Sequence, residues 1–383
     1  MPVAARTSPV RTLAILHPVF ALTGVLHVAG GALLPSIAAR FHLSDSASGL
    51  LFLLYFAGTS LGALLCRGNY SRIITIGFAG MVFTCLAVAI SPGALLPIAF
   101  LLLGISVGVP MSGVTLFTGR TFPERCAALL TFLNFTWSLG ALASPLIAAR
   151  ILSHYDYRAA YIVFALAAAI AALASGLTLR DGPEPVHAPS GTEEAKTALP
   201  LIVIFAFAAF LQVGVENTVA AWLPTYALRT AGSGIVLAAA SSSFYWVGLL
   251  SSRGLSSLLL LRAEPMRVFR IAIAIGLVSA LLLSFAPTVA SRNLAMFLLG
   301  AALAPVYPLV LSGFFARTRH TGDSRWILFT AGFGGSVLPW LAGFLSSNTG
   351  SIRIGMLTIP AALLLMALLI PAMYGPRKRS AEA

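Results

Sequence analysis

The sequence predicts an all-α membrane protein with twelve transmembrane helices, arranged as two six-helix bundles related by a pseudo-twofold axis. Apolar residues make up 58% of the 383 residues, and charged residues only 9%. The mean hydropathy is +0.94. Soluble domains carry about 25% charged residues, so this composition excludes an ordinary soluble protein.

Twelve apolar segments are long enough to cross a bilayer, because a spanning helix needs about 20 mostly apolar residues. They run approximately over residues 12–36, 47–66, 72–90, 94–118, 126–149, 157–179, 199–228, 233–252, 268–286, 291–315, 325–346 and 352–374. Arg6 and Arg11 precede the first segment, but no small-residue cleavage site closes it. We therefore expect this segment to stay in the membrane as a signal anchor.

The positions of the basic residues predict the orientation. The formal net charge is +13, but the 24 Lys and Arg residues are spread over many gaps, which disfavours nucleic acid as a partner. All but six fall at the termini or in the gaps on one side; the six are Arg40, Arg150, Arg158, Arg229, Arg292 and Arg353. Cytoplasmic loops carry the excess of Lys and Arg, so both termini are expected in the cytoplasm of a bacterial inner (plasma) membrane protein.

A polar stretch from Arg180 to Lys196, rich in Pro, Gly and Glu, divides six segments from six. Such a composition is typical of a flexible linker. The sequence therefore predicts an N-terminal six-helix bundle at 1–180, a cytoplasmic linker at 181–198 and a C-terminal six-helix bundle at 199–383.

Sequence matches at nearly constant spacing indicate that the second bundle is a copy of the first. The matches are Leu33–Arg40 with Trp222–Arg229 (offset 189), Leu102–Gly104 with Leu298–Gly300 (offset 196), and Gly140 and Pro145 with Gly334 and Pro339 (offset 194). Because each copy has six spans, both keep the same orientation, which makes this a parallel repeat.

Glu216 is the only acidic or basic residue, histidines apart, that these segments place inside the membrane. A carboxylate at the centre of a membrane helix costs about 2.5–3.5 kcal/mol on insertion scales, and it normally marks a proton or substrate pathway. The alternative is a neutral structural carboxyl bonded to a neighbouring helix. The offset of 189 makes His27 its equivalent, so the two side chains are expected around one central space, where they could share a proton; His27 could equally bond a backbone carbonyl.

Twelve spans in two parallel repeats resemble the major facilitator superfamily, over nearly the whole chain. The family's Gly-x3-Asp-Arg motif after span two is matched by Gly62 and Arg67, with Cys66 at the Asp position. The second half repeats the departure, with Gly248, Ser252 and Arg253. The departure puts the ion pair that the Asp makes in gating in doubt, and the basic residues could instead contact lipid phosphates.

Two spans resemble the fucose/glucose–galactose permease group of that superfamily. They are Gly214-Val-Glu216 followed by Trp222 and Tyr226 in span seven, and Asn134, Trp137, Gly140 and Pro145 in span five. Trp222 and Tyr226 lie near the outer end of span seven, where we expect interface anchors or the rim of a gate.

A sugar site needs amide or carboxyl partners for hydroxyls and a flat aromatic ring for the sugar face. The candidate substrate-binding residues are His27, Asn134, Trp137, Gln212, Glu216, Asn217, Tyr245 and Tyr307, with Trp246 beside Tyr245. Glu216 and His27 are also the candidate proton-coupling residues. Each amide could instead act as a polar contact between helices.

The resemblance implies a secondary active transporter that works by alternating access on a small polar solute, with a sugar as the best match, in symport with H+ through Glu216. A drug or metabolite exporter is the alternative in the same class, and a membrane-embedded transferase or sensor is the alternative outside it. Few acids and histidines lie inside the spans, and no catalytic motif is present, so no enzyme activity, metal or cofactor is expected. The expected partners are the solute, H+ and the lipid bilayer, and the expected state is a monomer.

Overall fold

Fifteen α-helices and no strand make up the described part of the computed structural model, which covers residues 9–122, 125–180, 199–232, 234–260, 262–317 and 324–374. The first half contains α1 (Pro9–Phe41), α2 (Asp45–Leu64), α3 (Tyr70–Ile90), α4 (Leu96–Thr121), α5 (Cys126–Leu152) and α6 (Tyr157–Thr178). The second half contains α7 (Leu199–Ala231), α8 (Ile235–Ser241), α9 (Ser243–Leu259), α10 (Pro265–Phe285), α11 (Val289–Leu303), α12 (Val306–Phe315), α13 (Ser324–Thr349), α14 (Ile352–Met356) and α15 (Thr358–Tyr374). The expected linker at 181–198 lies outside the described residues.

These helices form twelve spans, because three spans of the second half are each built from two helices: α8 with α9, α11 with α12, and α14 with α15. The break between α11 and α12 falls at Pro305, whose ring nitrogen cannot donate a helical hydrogen bond. Eleven spans among the described residues are long and apolar enough to cross a membrane by composition alone. The remaining one, α13, has 26 residues and packs between α7 and α2.

Helix starts follow from polar capping residues at the membrane surface. Ser44 accepts a hydrogen bond from the Ala47 amide at the start of α2, and Asn69 accepts one from the Arg72 amide at the start of α3. At the start of α11, Thr288 and Ser291 form a capping box. Such side chains satisfy amide groups that have no partner inside the helix.

The six helices of the first half pack into one bundle, and those of the second half pack into another. Between the bundles, α1 lies on α7, α2 on α13, and α5 on α8 and α9. The crossing of α1 and α7 is close, since a Cβ atom at Gly31 would lie 2.0 Å from the Ala220 carbonyl oxygen. Pro224 leaves that carbonyl without its usual helical donor, and the absent side chain at Gly31 allows α1 to approach it.

The repeat is visible in the closest backbone contacts. A Cβ atom at Gly140 would lie 2.0 Å from the Ala21 carbonyl oxygen, and one at Gly334 would lie 2.0 Å from that of Phe210. Ala21 and Phe210 are 189 residues apart, and the two glycines are 194 apart. These are the offsets found in the sequence, so the packing of α1 on α5 is reproduced by α7 on α13.

A second pair of contacts corrects one sequence match. A Cβ atom at Gly104 would lie 2.0 Å from the Tyr55 carbonyl oxygen, and one at Gly300 would lie 2.0 Å from that of Tyr245. Tyr55 and Tyr245 are 190 residues apart, so the structural equivalent of Gly248 is Gly58. The sequence match with Gly62 was therefore wrong by one helical turn.

Arg253 consequently lies one turn deeper than Arg67, within the span Ile235–Ser256. The expectation that Glu216 is the only charged residue within the spans was wrong for this reason. The helix α9 continues through Arg253 to Leu259, so the basic residue that seemed to mark a loop is held inside the helix.

Candidate functional site

Glu216 lies half-buried near the middle of α7. The amide of Gln212, one turn earlier, donates through Nε2 to Glu216 Oε1 at 3.0 Å and to the Leu303 carbonyl oxygen at 3.2 Å. Leu303 is the last residue of α11, just before the break at Pro305. Gln212 therefore fixes the position of the carboxyl against the broken span.

Asn217 joins helices of both bundles. Its Nδ2 donates to the Gly335 carbonyl oxygen on α13 at 3.2 Å, and its Oδ1 lies 3.4 Å from His27 Nε2 on α1. His27 thus reaches the residue next to Glu216, and in the described part of the chain no hydrogen bond joins His27 to Glu216 itself. The equivalence of positions 27 and 216 brings the two side chains to the same region without pairing them directly.

Aromatic rings line the same region from both bundles. The ring of His27 lies 5.3 Å from that of Trp137 and 5.2 Å from that of Phe56, measured between centroids. Trp137 in turn faces Trp246 across the bundle interface at 6.2 Å. Tyr245 lies beside Trp246 at 5.1 Å. These flat apolar faces suit a solute that has an apolar face of its own.

Four buried polar atoms at this place have no hydrogen-bond partner in the protein: His27 Nδ1, Trp137 Nε1, Gln212 Oε1 and the Tyr245 hydroxyl. Buried polar atoms are nearly always paired, so each such group calls for an explanation. All four belong to residues that the sequence predicted for the substrate site. Together they are unused donors and acceptors that are closed to water in this conformation.

Arg253 is a residue of this region that sequence reasoning missed. Its Nη1 donates to the Ser138 hydroxyl oxygen at 2.5 Å, which connects α9 of the second bundle to α5 of the first. Its guanidinium also lies within electrostatic range of the Glu216 carboxyl, as do the hydroxyls of Tyr245 and Tyr307. The glycine register of the repeat was the sequence signal that could have placed it here.

Asn134 lies at the edge of the site. It precedes Trp137 and Ser138 by three and four residues on α5, so it shares their helix face. Its side chain is exposed, and Nδ2 donates to the Leu130 carbonyl oxygen of its own helix. Tyr307, on α12, is partly buried.

Trp222 and Tyr226 do not anchor the protein at the membrane surface. Both are buried; Trp222 Nε1 donates to the Pro339 carbonyl oxygen at 2.8 Å, and the Tyr226 hydroxyl donates to that of Leu283 at 2.6 Å. The expectation of membrane-interface anchors was wrong because this part of α7 is covered by α13 and, at Tyr226, by α10. A place at the rim of a gate stays a prediction. These side chains instead hold α7 in its bundle.

The end of the molecule on which α1 terminates is closed by an ion pair between the bundles. Arg229, near the end of α7, donates through both terminal nitrogens to Asp45, the first residue of α2. The Ser346 hydroxyl on α13 donates to the same carboxylate at 2.5 Å, and the Ser46 amide donates to Ser347 Oγ at 2.7 Å. Helices of opposite bundles are therefore fastened together beyond the central site.

A family model described as the Major Facilitator Superfamily matches residues 19–324. The chain belongs to this superfamily. Three comparisons place it among transporters of this fold. The Glucose/mannose transporter GlcP of Bacillus subtilis (strain 168) is 24% identical over 373 residues, with 90% of each chain covered.

Two solved structures share the fold at low identity. The crystal structure of a D-xylose–proton symporter aligns with a TM-score of 0.79 at 15% identity, covering 94% of this chain and 97% of the other. FucP, a Major Facilitator Superfamily transporter in the outward conformation, aligns with a TM-score of 0.61 at 18% identity, covering 95% and 99%. The resemblance to this superfamily and the all-α fold in two six-helix bundles are confirmed.

This member of the superfamily departs from the usual motif after α2 in a way that the structure explains. Cys66, at the Asp position, is buried, and its thiol donates to the Val109 carbonyl oxygen on α4 at 3.6 Å. A neutral thiol therefore packs where other members carry an acid. Within the described residues, no cluster of three His, Cys, Asp or Glu side chains could hold a metal ion.

Proposed function

We propose that this transporter carries a sugar in symport with protons by alternating access. The observation that carries the proposal is the central group around Glu216, where four unpaired buried polar atoms lie beside aromatic rings of both bundles. A solute bound there contacts both bundles, which is the arrangement that alternating access requires.

The chemistry of the group favours a sugar as the solute. Amides, a carboxyl and a tyrosine hydroxyl can pair with hydroxyl groups, and the indole rings of Trp137 and Trp246 can cover the apolar face of a hexose. Similar chains support the same substrate class: one is a glucose/mannose transporter and one structural neighbour is a D-xylose–proton symporter. The substrate-binding set is His27, Asn134, Trp137, Gln212, Glu216, Asn217, Tyr245 and Tyr307.

Glu216 is the proposed proton carrier. Burial opposes the ionised form of a carboxyl, whereas a nearby guanidinium favours it. Arg253 lies within electrostatic range and is fastened to Ser138 across the bundle interface. When Glu216 is protonated it carries no charge, and Arg253 keeps its hydrogen bond to Ser138. After proton release, the carboxylate attracts the guanidinium, which weakens that bond between the bundles. His27 is the proposed second proton-linked group, because its Nε2 contacts Asn217, the residue that follows Glu216.

The remaining features of the proposal follow from charge and topology. The side on which α1 begins carries most of the basic residues and is therefore assigned to the cytoplasm of a bacterial inner membrane. The Asp45–Arg229 pair then closes the outer side, so this conformation gives access from within. The proposed boundaries are 1–180 and 199–383 for the two bundles, and we propose a monomer with no enzyme activity and no cofactor.

A second transported class is favoured by one feature. His27 has three aromatic neighbours, Tyr55 and Phe56 on α2 and Trp137 on α5. Such a wall also suits an apolar drug or metabolite, which an exporter of the same fold would carry.

Uptake into proteoliposomes tests these proposals. Labelled glucose, mannose and xylose should accumulate when the outside is acidified and only equilibrate without a pH gradient. Accumulation that follows a sodium gradient alone would contradict proton coupling. Efflux of apolar cations with no sugar uptake would favour the exporter.

A further inference from the structure

A groove of about 600 Å³ lies between the bundles on the membrane-facing surface, away from the central site. One wall is α5, with Leu146. The other is formed by α8, α9 and α11, with Leu237, Phe244 and Val247. These four apolar side chains are 39–67% exposed, so the groove opens towards the lipid rather than towards the central site.

One end of the groove is charged. Arg292 and Asn293, in the first turn of α11, line it. Arg292 is only 4% exposed, and its Nη1 donates to the Thr230 hydroxyl oxygen at 2.5 Å. No carboxylate of a described residue forms an ion pair with Arg292, in contrast to Arg229 nearby. A buried guanidinium without a counter-charge is costly, so an anionic group bound at this end of the groove would be stabilising.

The dimensions match one leaflet of a bilayer. From Ile235, where α8 begins, to Val247, the groove descends by about 18 Å at 1.5 Å per helical residue. Half of a hydrocarbon core is about 15 Å thick. The polar end therefore lies at headgroup level, and the apolar walls extend along the depth of the acyl chains.

We propose that this groove binds an anionic phospholipid, with its phosphate on Arg292 and Asn293 and an acyl chain between α5 and α9. The lipid bridges the two bundles on the same side as the Asp45–Arg229 pair. Because opening of that side separates α5 from α8, a bound anionic lipid holds it closed. The site is independent of the sugar and of proton coupling.

Native mass spectrometry of the full chain, titrated with phosphatidylglycerol or phosphatidylethanolamine of equal chain length, tests the proposal. Wild type should bind phosphatidylglycerol at least about fivefold more tightly, as one basic contact predicts. Arg292→Gln should abolish that preference, whereas Arg292→Lys should keep it. Leu146→Trp, which fills the groove and keeps the charge, should weaken both lipids. Arg150→Gln removes an exposed charge on the same side and should change neither.

Two results would overturn the proposal. One is equal binding of the two lipids by wild type. The other is a phosphatidylglycerol preference that Arg292→Gln leaves unchanged, or an affinity for both lipids that Leu146→Trp leaves unchanged. A dimer that survives dilution without bound lipid, and that Leu146→Trp disrupts, would show that a second copy of the chain covers the groove instead, and would equally refute the lipid site.

Discussion

Arg229 and Asp45 are paired at two points, with Nη1 2.6 Å from Oδ2 and Nη2 2.5 Å from Oδ1, although 184 residues separate them in the chain. The carboxylate is 9% exposed at its side chain and the guanidinium 43%. Two-point pairs of this kind are stronger and more directional than ordinary surface ion pairs. This pair fastens α7 of the second bundle to α2 of the first at the end of the molecule where α1 terminates.

Removal of the pair should open that side. Asp45→Asn loses the charge attraction to Arg229 and should shift the equilibrium towards the opposite-facing state by about 5–30-fold, corresponding to about 1–2 kcal/mol for a partly exposed charged hydrogen bond. Double electron–electron resonance between spin labels at the exposed Tyr155 and Ile354, in a cysteine-free background, measures the change in distance.

The matched control for this experiment is Asp156→Asn. Asp156 lies on the same side and caps α6 by accepting from the Arg158 amide, but it makes no bond to the second bundle among those described. Its distance distribution should match that of the parent. Unchanged distributions for Asp45→Asn would show that the pair does not hold this side closed.

Glu216→Gln should separate binding from coupling. The amide imitates the protonated carboxyl and keeps hydrogen-bonding capacity near Gln212, so exchange between two loaded compartments should persist. Accumulation driven by a pH gradient should fall to about the equilibrium level, because no proton is carried. Glu216→Ala should lose exchange as well.

Glu264→Gln is the control, because it removes an exposed acid that is paired with Arg267. If Glu216→Gln accumulates sugar like wild type, the coupling residue lies elsewhere.

Arg253→Gln should alter the pH dependence of uptake. Loss of a positive charge near Glu216 favours the neutral carboxyl, so proton release inside should require a higher internal pH and the uptake optimum should move upwards. Arg253→Lys keeps the charge and should keep the optimum, although it loses the directed bond to Ser138. Uptake measured from pH 5 to 8 in proteoliposomes tests this. Arg262→Gln, an exposed charge at the end of the same span, should leave the profile unchanged; an equal shift there would indicate a general charge effect.

Trp137 should contribute both stacking and a hydrogen bond. Trp137→Phe keeps an aromatic ring but removes the unpaired Nε1–H, and should raise the apparent KM by a factor that corresponds to about 1 kcal/mol, or about fivefold. Trp137→Ala should cost more, since the contacts with His27 and Trp246 are also lost. His27→Gln should reduce pH-gradient-driven accumulation less than Glu216→Gln does. A loss of membrane expression with unchanged KM would instead show that Trp137 only packs the helices.

Gly300→Ala should destabilise the second bundle. The added methyl would lie 2.0 Å from the Tyr245 carbonyl oxygen, and overpacking of this kind typically costs about 1–3 kcal/mol. A lower Tm by fluorescence-detected gel filtration is expected. Gly80→Ala is the matched control, because its Cβ would meet only the Ser106 side chain at an ordinary 3.7 Å. Equal Tm values for the two variants would contradict the close packing of α9 on α11.

Some of the candidate site could be read from the sequence because its signals are local. Glu216 stands out in an apolar run whatever its neighbours are. The offset of 189 between the first and seventh spans correctly predicted that His27 and the Glu216–Asn217 pair meet in one region. The choice of Asn217 over Glu216 as the partner of His27 depends on helix rotation, and no local pattern encodes that rotation.

The sequence by itself determined the twelve spans, the duplicated bundles and the membrane character, because hydrophobicity and segment length act locally along the chain. Only the tertiary structure decided that Arg253 lies inside a span and bonds to Ser138 of the other bundle, that Trp222 and Tyr226 are buried, and that Asp45 pairs with Arg229. Each of these depends on how far one helix slides or turns against another. That register is fixed by backbone contacts such as those at Gly104 and Gly300, and in apolar helices one turn of slippage leaves the composition unchanged.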